Sequence, residues 1–160
     1  MKILGIDPGI ATTGFAIIEM DKNDNNTLID YGIIETDSKD SFIERLSQIK
    51  KDLTTIIRTY KPDICGIEKI YFHSNTKTVI DVSQSRGMIL STLFENNIQI
   101  LEFTPLEIKN GITGDGKADK LQVQTMIKKI FKLEKLPKPD DASDAIAIAL
   151  LTAYKKDVRL

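Results

Sequence analysis

The chain opens with two short apolar runs that are separated by a carboxylate and a turn. Residues 3–6 are apolar and lead into Asp7, Pro8 and Gly9 break the run, and residues 14–18 are apolar again. A short apolar run bounded by Pro-Gly is typical of a buried strand. Asp7 is then expected at the carboxyl end of a strand, where open α/β sheets bind ligands. Because Asp also favours the start of a Pro-Gly turn, this motif alone leaves structural and functional roles equally open.

The next segments predict a sheet that begins as an antiparallel meander. A polar run at 21–26 reads as a turn, and residues 28–35 resume as a third strand. Three strands joined by such short loops pair as neighbours. Further along, strands alternate with helices, so the sheet is expected to continue with parallel strands. A doubly wound, flavodoxin-like sheet is the competing prediction, but it would not open with a meander.

The first helix has clear boundaries in the sequence. Ser41 and Glu44 form a capping-box pair ahead of an amphipathic run, and Pro62 lies just beyond its end. The elements after it are expected as a strand at 63–70, a helix at 75–97 and a strand at 98–103. This order predicts a ribonuclease H-like α/β fold, with a mixed five-stranded sheet flanked by helices.

The C-terminal third is less regular. Residues 109–117 carry three glycines and are expected to form a mobile loop, followed by a helix at 119–131. A proline-broken connector at 135–140 precedes a last, alanine-rich helix that is expected to begin near Asp141. With 160 residues and no internal repeat, the whole chain, 1–160, is expected to be one domain.

Composition and charge place some bounds on function. A single cysteine, Cys65, excludes an internal disulfide and is expected to be a small core residue. No apolar run approaches the ~20 residues needed to cross a bilayer, and no signal pattern is present, so we expect a cytoplasmic protein. Net charge is −1, yet residues 109–138 hold 8 lysines against 3 acids. That segment suits either a polyanion or a solvated helix face.

Four carboxylates form a candidate metal site. Glu68 lies near the end of an apolar strand, and Asp141 and Asp144 are three residues apart at a helix start, so they share a face. Helix capping by Asp141 is a strong alternative, although Asp140 also offers a capping carboxylate. Together with Asp7, these acids would repel one another without cations, and oxygen-only ligands favour Mg²⁺ or Mn²⁺. Two such ions ~4 Å apart can hydrolyse a phosphodiester without a protein nucleophile.

Several motifs, taken in order, give the chain a resemblance to a known family. They are LGIDPG with TGFAII, IEKIYF, SQSRG, ADKLQV and DDASDAIAIA. By these motifs the sequence resembles the RuvC family of Holliday-junction resolvases over essentially its whole length. The resemblance implies that the catalytic, metal-binding acids are Asp7, Glu68, Asp141 and Asp144, holding two Mg²⁺ ions that Mn²⁺ can replace. Some family members have a histidine in place of Asp141.

The resemblance also implies roles for several residues outside the acid set. Lys109 and Lys120 match active-site lysines of the family, where an ammonium group stabilises charge that develops at the scissile phosphate. Lys117 is grouped with them as a DNA contact. Tyr71 matches an aromatic used near the junction centre, with Phe72 beside it as the alternative stacking ring. His73 has no family counterpart and is expected to be an exposed loop residue.

The function implied is resolution of four-way DNA junctions in recombination and repair. The family acts as a homodimer, which makes paired symmetric nicks and leaves 5′-phosphate and 3′-hydroxyl ends. The helix bearing SQSRG is expected at or near the dimer interface, and a branch-migration complex of the RuvA and RuvB type is the expected partner. A catalytically inactive junction-binding protein is one alternative. An actin-like ATPase is another, but it needs a second subdomain and a second glycine-rich nucleotide motif.

Overall fold

The five-stranded sheet has the order β3-β2-β1-β4-β5 in a computed structural model that describes residues 1–70 and 76–156. β1 pairs antiparallel with β2, and β2 pairs antiparallel with β3. β4 adds parallel to β1, and β5 adds parallel to β4. The strands are β1 (Lys2–Asp7), β2 (Thr12–Met20), β3 (Asn26–Glu35), β4 (Ile64–Glu68) and β5 (Gln99–Phe103). This topology confirms the mixed, ribonuclease H-like sheet and excludes the flavodoxin-like alternative.

Helices cover both faces of the sheet. They are α1 (Phe42–Tyr60), α2 (Thr76–Glu95), α3 (Pro105–Thr113), α4 (Lys120–Ile130) and α5 (Asp140–Lys155). Across the described ranges, none of these helices is both long enough and apolar enough to span a membrane.

Two apolar layers form the core, one on each face of the sheet. On one face α3, α4 and α5 pack over residues such as Ile3 and Ile18. On the other face α1 and α2 cover Leu4, Ile6 and Cys65. Cys65 is fully buried, which raises the pKa of its thiol and confirms its expected place in the core.

The alanine-rich face of α5 lies unusually close to β1. A Cβ atom built on Gly5 would stand 2.2 Å from the backbone oxygen of Ala145, which leaves no room for any side chain at residue 5. The small residues on α5 and the glycine on the strand therefore allow the two backbones to approach. This close packing brings the start of α5 to the sheet.

The boundaries of α1 follow the sequence signals. Ser41 Oγ accepts a hydrogen bond from the Glu44 backbone N–H, and the Glu44 carboxylate accepts from the Ser41 backbone N–H at 2.8 Å. The helix closes at Lys61, which adopts the left-handed conformation with φ of 52° ahead of Pro62. Both the predicted capping box and the predicted stop are confirmed.

The loop expected at 109–117 is wrong in its first half, because residues 105–113 form α3. Thr104 caps this helix, with a reciprocal pair of hydrogen bonds to Glu107, and Pro105 occupies the first turn. These signals outweigh Gly111 inside the helix. The helix ends at Gly114, whose φ of 79° suits glycine, and only the short segment to α4 is a turn. Lys109 therefore stands on a helix.

Candidate active site

Two of the predicted acids lie at the ends of adjacent parallel strands. Asp7 is the last residue of β1, and Glu68 is the last residue of β4. The β1–β4 pairing runs as far as Ile6 opposite Ile67, so both carboxylates emerge where the ladder ends. Parallel strands place their carboxyl ends at one edge of a sheet, and the two acids therefore share that edge.

The start of α5 brings the other two acids to the same edge. Gly14 of β2 is the register partner of Asp7, and a Cβ atom on Gly14 would stand 2.0 Å from the backbone oxygen of Asp141. Asp144 lies one turn further along the helix. Capping does not explain Asp141, because Pro139 is the N-cap residue of α5 and no side chain caps this end.

Burial and mutual repulsion perturb these carboxylates. Burial, followed by the charges of Glu68, Asp144 and Asp141, raises the pKa of Asp7 to about 8. Burial and the charge of Asp144 raise the pKa of Glu68 to about 7, against a lowering effect of Lys109. The pKa of Asp144 is also raised, mainly by burial. Such clustered, perturbed carboxylates in a cleft are typical of functional sites.

Lys109 and Lys120 line a cleft of about 280 Å³ together with two of the acids, Glu68 and Asp144. Lys120 Nζ lies 3.1 Å from Asp144 Oδ2, an ion pair in which Asp144 is about one-third exposed. Burial lowers the pKa of Lys120, but hydrogen bonds and charge from Asp144 and Asp140 outweigh it and raise the pKa overall. The cleft thus combines carboxylates with ammonium groups.

Asp140 is a site neighbour whose contact the sequence did not reveal. Its carboxylate lies 3.3 Å from Lys120 Nζ and accepts a hydrogen bond from Gln124 Nε2 at 3.2 Å. Lys120 holds the pKa of Asp140 below its usual range. The sequence shows three acids in five residues here. It does not show that Asp140 pairs with Lys120 of α4, because the two residues are 20 positions apart.

The remaining predicted residues lie outside this cleft or outside the described chain. Lys117 is exposed in the turn before α4, where its backbone N–H donates to the Asp115 carboxylate at 2.8 Å. Tyr71, Phe72 and His73 fall outside the described residues.

A second cleft, of about 220 Å³, is lined by Asp7 and shares Glu68 with the first cleft.

The carboxylate oxygens of the site are the kind of ligand that a hard divalent cation prefers. Their side chains, however, do not surround one common point. Within residues 1–70 and 76–156, no three His, Cys, Asp or Glu side chains are grouped closely enough to hold a metal ion as they stand. Asp144 instead binds Lys120. The available donors are carboxylate oxygens, and a cation would relieve the repulsion that raises the pKa of Asp7. The residues therefore fit a Mg²⁺-type ion.

The sheet order, with acids at the carboxyl ends of β1 and β4, places the protein in the ribonuclease H-like class. Residues 3–152 match the family described as "Crossover junction endodeoxyribonuclease RuvC". The chain therefore belongs to the RuvC family.

Relatives and solved structures agree with this assignment. The RuvC of Caldicellulosiruptor saccharolyticus is 47% identical over 150 residues, covering 94% of this chain and 90% of the relative. The RuvC of Finegoldia magna is 45% identical over 150 residues, covering 94% and 91%. The Thermus thermophilus RuvC structure has a TM-score of 0.89 at 25% identity, covering 98% of this chain and 95% of the other. A second T. thermophilus structure, a complex with Holliday junction substrate, has a TM-score of 0.88 at 23% identity, covering the same shares of each chain.

Proposed function

We propose that this protein is a structure-selective DNA endonuclease that resolves Holliday junctions in recombination and repair. It makes paired symmetric nicks and leaves 5′-phosphate and 3′-hydroxyl ends, and its nuclease domain is residues 1–160. The observation that supports this most is the gathering of four acids at one sheet edge, beside two lysines, in a member of the RuvC family.

The acids would hold Mg²⁺, with Mn²⁺ able to substitute, as two ions per site. The ligands are Asp7, Glu68, Asp141 and Asp144, whose oxygens match the preference of these cations. When bound, divalent cations supply an activated water and stabilise the leaving oxygen of a phosphodiester. The chain's own contribution is to hold the carboxylates on rigid elements, β1, β4 and α5, so that their positions are set before DNA arrives.

The lysines complement the acids. Lys120 stands between Asp144 and Asp140, so its ammonium group stays protonated and is directed into the cleft. There it stabilises the extra negative charge that develops at the scissile phosphate. Lys109, which lines the same cleft from α3, acts in the same way. Lys117 contacts the DNA backbone, and Tyr71 or Phe72 stacks on a base near the junction centre.

The active form is a homodimer that uses α2. Ile80, Gly87 and Phe94 are spaced seven residues apart and therefore share one face of this helix. Ile80 is 54% exposed and Phe94 is 79% exposed, while a Cβ on Gly87 would meet nothing within 4 Å. An apolar stripe with a glycine at its centre suits close packing against a second copy. A branch-migration complex of the RuvA and RuvB type is the expected partner in the cell.

The test is cleavage of a synthetic mobile four-way junction with Mg²⁺. We expect the wild-type protein to make symmetric nicks and Asp7→Asn to bind the junction without cutting it. Asp52→Asn, a matched change at a residue of α1 that lines neither cleft, should cleave like the wild type. If repurified Asp7→Asn cleaves at the wild-type rate, the site assignment is wrong.

Two other results would point to the alternatives. A wild-type protein that binds junctions of several sequences but cleaves none with Mg²⁺ or Mn²⁺ is an inactive junction-binding protein. ATP hydrolysis without DNA would instead favour the actin-like ATPase.

A further inference from the structure

Two consecutive residues of α2, Ser85 and Arg86, face the sheet from within the SQSRG motif. Ser85 is fully buried, and the Arg86 side chain is only 16% exposed. Ile89 and Leu93, on the following turns, are fully buried in the same apolar layer as Leu4. The helix is thus anchored by its apolar residues, which leaves the two polar side chains to make specific contacts with the strands.

Arg86 contacts the backbone of a site acid. Its Nε donates a hydrogen bond to the Glu68 carbonyl oxygen at 2.8 Å, and its terminal nitrogen forms an ion pair with Glu102 on β5. The β1–β4 ladder ends one residue earlier, at Ile67. Arg86 therefore binds the end of β4 at the residue whose side chain enters the cleft.

Ser85 makes a similar contact just beyond the end of the other strand. Its Oγ donates to the Gly9 carbonyl oxygen at 2.9 Å, and Thr13 Oγ1 donates to the same oxygen at 2.8 Å. Gly9 lies two residues beyond Asp7, in the turn that leaves β1. The Gly9 carbonyl is thus held from both α2 and β2.

The two contacts together join the strand ends that carry Asp7 and Glu68. Consecutive Cα atoms are ~3.8 Å apart in a rigid helix, so neither strand end can shift without straining a bond to the other. We infer that Ser85 and Arg86 are positioning residues that set the separation of the Asp7 and Glu68 carboxylates for divalent-ion binding. This inference rests on the proposed nuclease function.

A simpler role for Arg86 would be to fasten α2 to β5 through Glu102. The two roles can be separated, because Glu102→Gln removes the ion pair and leaves the bond from Arg86 Nε to Glu68 available. Arg86→Met removes both contacts at similar side-chain length. Arg86→Lys keeps the charge but loses the forked donor geometry.

The experiment measures divalent-ion binding in two ways for each full-length variant. One is the Mg²⁺ concentration that gives half-maximal single-turnover cleavage of a junction. The other is the Mn²⁺ dissociation constant without DNA, measured by calorimetry, which does not depend on activity. Thermal unfolding establishes that each variant is folded.

We expect Arg86→Met to raise the half-maximal Mg²⁺ concentration and the Mn²⁺ dissociation constant by about tenfold each. Substitution of residues that orient metal ligands commonly has an effect of this size. Arg86→Lys should recover part of the loss, and Ser85→Ala should cause a smaller shift in the same direction, because Thr13 still binds Gly9. Glu102→Gln should bind Mn²⁺ like the wild type. If Arg86→Met does not fold, Arg86→Lys must still show the raised Mn²⁺ dissociation constant.

Two results overturn the inference while leaving the proposed function intact. In the first, the wild type cleaves and the Arg86 variants bind Mn²⁺ at wild-type concentrations. In the second, Glu102→Gln shifts the metal concentrations as much as Arg86→Met does. A wild-type protein that neither cleaves junctions nor binds Mn²⁺ overturns the proposed function and the inference together.

Discussion

The backbone of Gly14 packs directly against the backbone of Asp141. The Asp141 backbone oxygen occupies the space that a Cβ atom on Gly14 would need, at a distance of 2.0 Å. Gly14 is also the register partner of Asp7. One glycine therefore brings the acids of β1 and α5 to the same edge, and the position of α5 depends on the absence of a side chain there.

Gly14→Ala is expected to destabilise the fold and reduce cleavage. The obstructing atom is backbone, which cannot rotate away, so α5 must shift, at a cost of at least about 1–3 kcal/mol in the free energy of unfolding. Denaturant titration and junction cleavage measure the two effects. Gly116→Ala is the control, because its new methyl group would meet the exposed Leu106 side chain, which can move, and would make an ordinary 3.6 Å contact with the Leu106 backbone oxygen. Wild-type stability and activity in Gly14→Ala would show that α5 does not depend on this contact.

Stability without divalent ions should fall as pH rises. The pKa of Asp7 is 3.8 as a reference and about 8 in the folded protein, so between these values the folded state holds a proton that the unfolded chain releases. The protonated Asp7 carboxyl group contributes fully to the stability of the fold below pH 3.8, and this contribution is lost as pH rises through about 8. Asp7→Asn should therefore be more stable than the wild type at pH 8, by at least about 1 kcal/mol, with little difference at pH 4. Equal stability of the two proteins at pH 8 in EDTA would argue against a raised pKa of Asp7.

Divalent ions should stabilise the wild type more at pH 8 than at pH 5. Carboxylates must be deprotonated to bind a cation, and burial raises the pKa of Asp7 and of Glu68, the latter to about 7. Ion binding to the folded state then raises the melting temperature as Mg²⁺ concentration increases. Thermal melts over a Mg²⁺ series at both pH values test this, with Asp7→Asn as the variant that should respond weakly. A larger response at pH 5 would contradict the carboxylate site.

The parts of the fold that depend on local pattern were predictable, and the capping box at Ser41 is the clearest case. The apolar run before Asp7 likewise marked the end of β1, whereas β4 ends at Glu68, two residues before the predicted end at 70. The expected loop at 109–117 was wrong over 109–113, because the reciprocal hydrogen bonds of Thr104 and Glu107 start a helix that tolerates Gly111. In this segment, local signals for a helix start competed with glycines that are typical of a loop.

Contacts between distant residues left no such pattern. Asp140 reads as a capping residue in the sequence, yet in the fold its carboxylate binds Lys120 on another helix. Arg86 binds the backbone of Glu68, 18 residues away, through a geometry that only the packed sheet creates. The residue types in the site could be predicted, but the contacts that hold them required the tertiary structure.

Lys120→Met should reduce cleavage about 100-fold or more, since it removes a charge placed to stabilise the transition state. Junction binding should change little, because one ammonium is a small part of a polyanion interface. Lys129→Met is a matched control, because it lies nine residues along α4, half a turn out of phase with Lys120. Single-turnover rates at saturating junction separate chemistry from binding. Equal losses in the two variants would mean that only total charge matters.

Phe94→Lys should convert the protein to a monomer and uncouple the two nicks. The substitution places a charge on the exposed apolar face of α2, which would be buried between two copies, and burying an unpaired charge is costly. Sedimentation measures the oligomeric state, and cleavage of a junction in a supercoiled plasmid distinguishes nicked from linear product. Ile43→Lys, at an apolar residue of α1 that is 71% exposed, should leave both the oligomeric state and the cleavage product unchanged. A Phe94→Lys protein that remains a dimer and still linearises the plasmid would exclude this face of α2 as the interface.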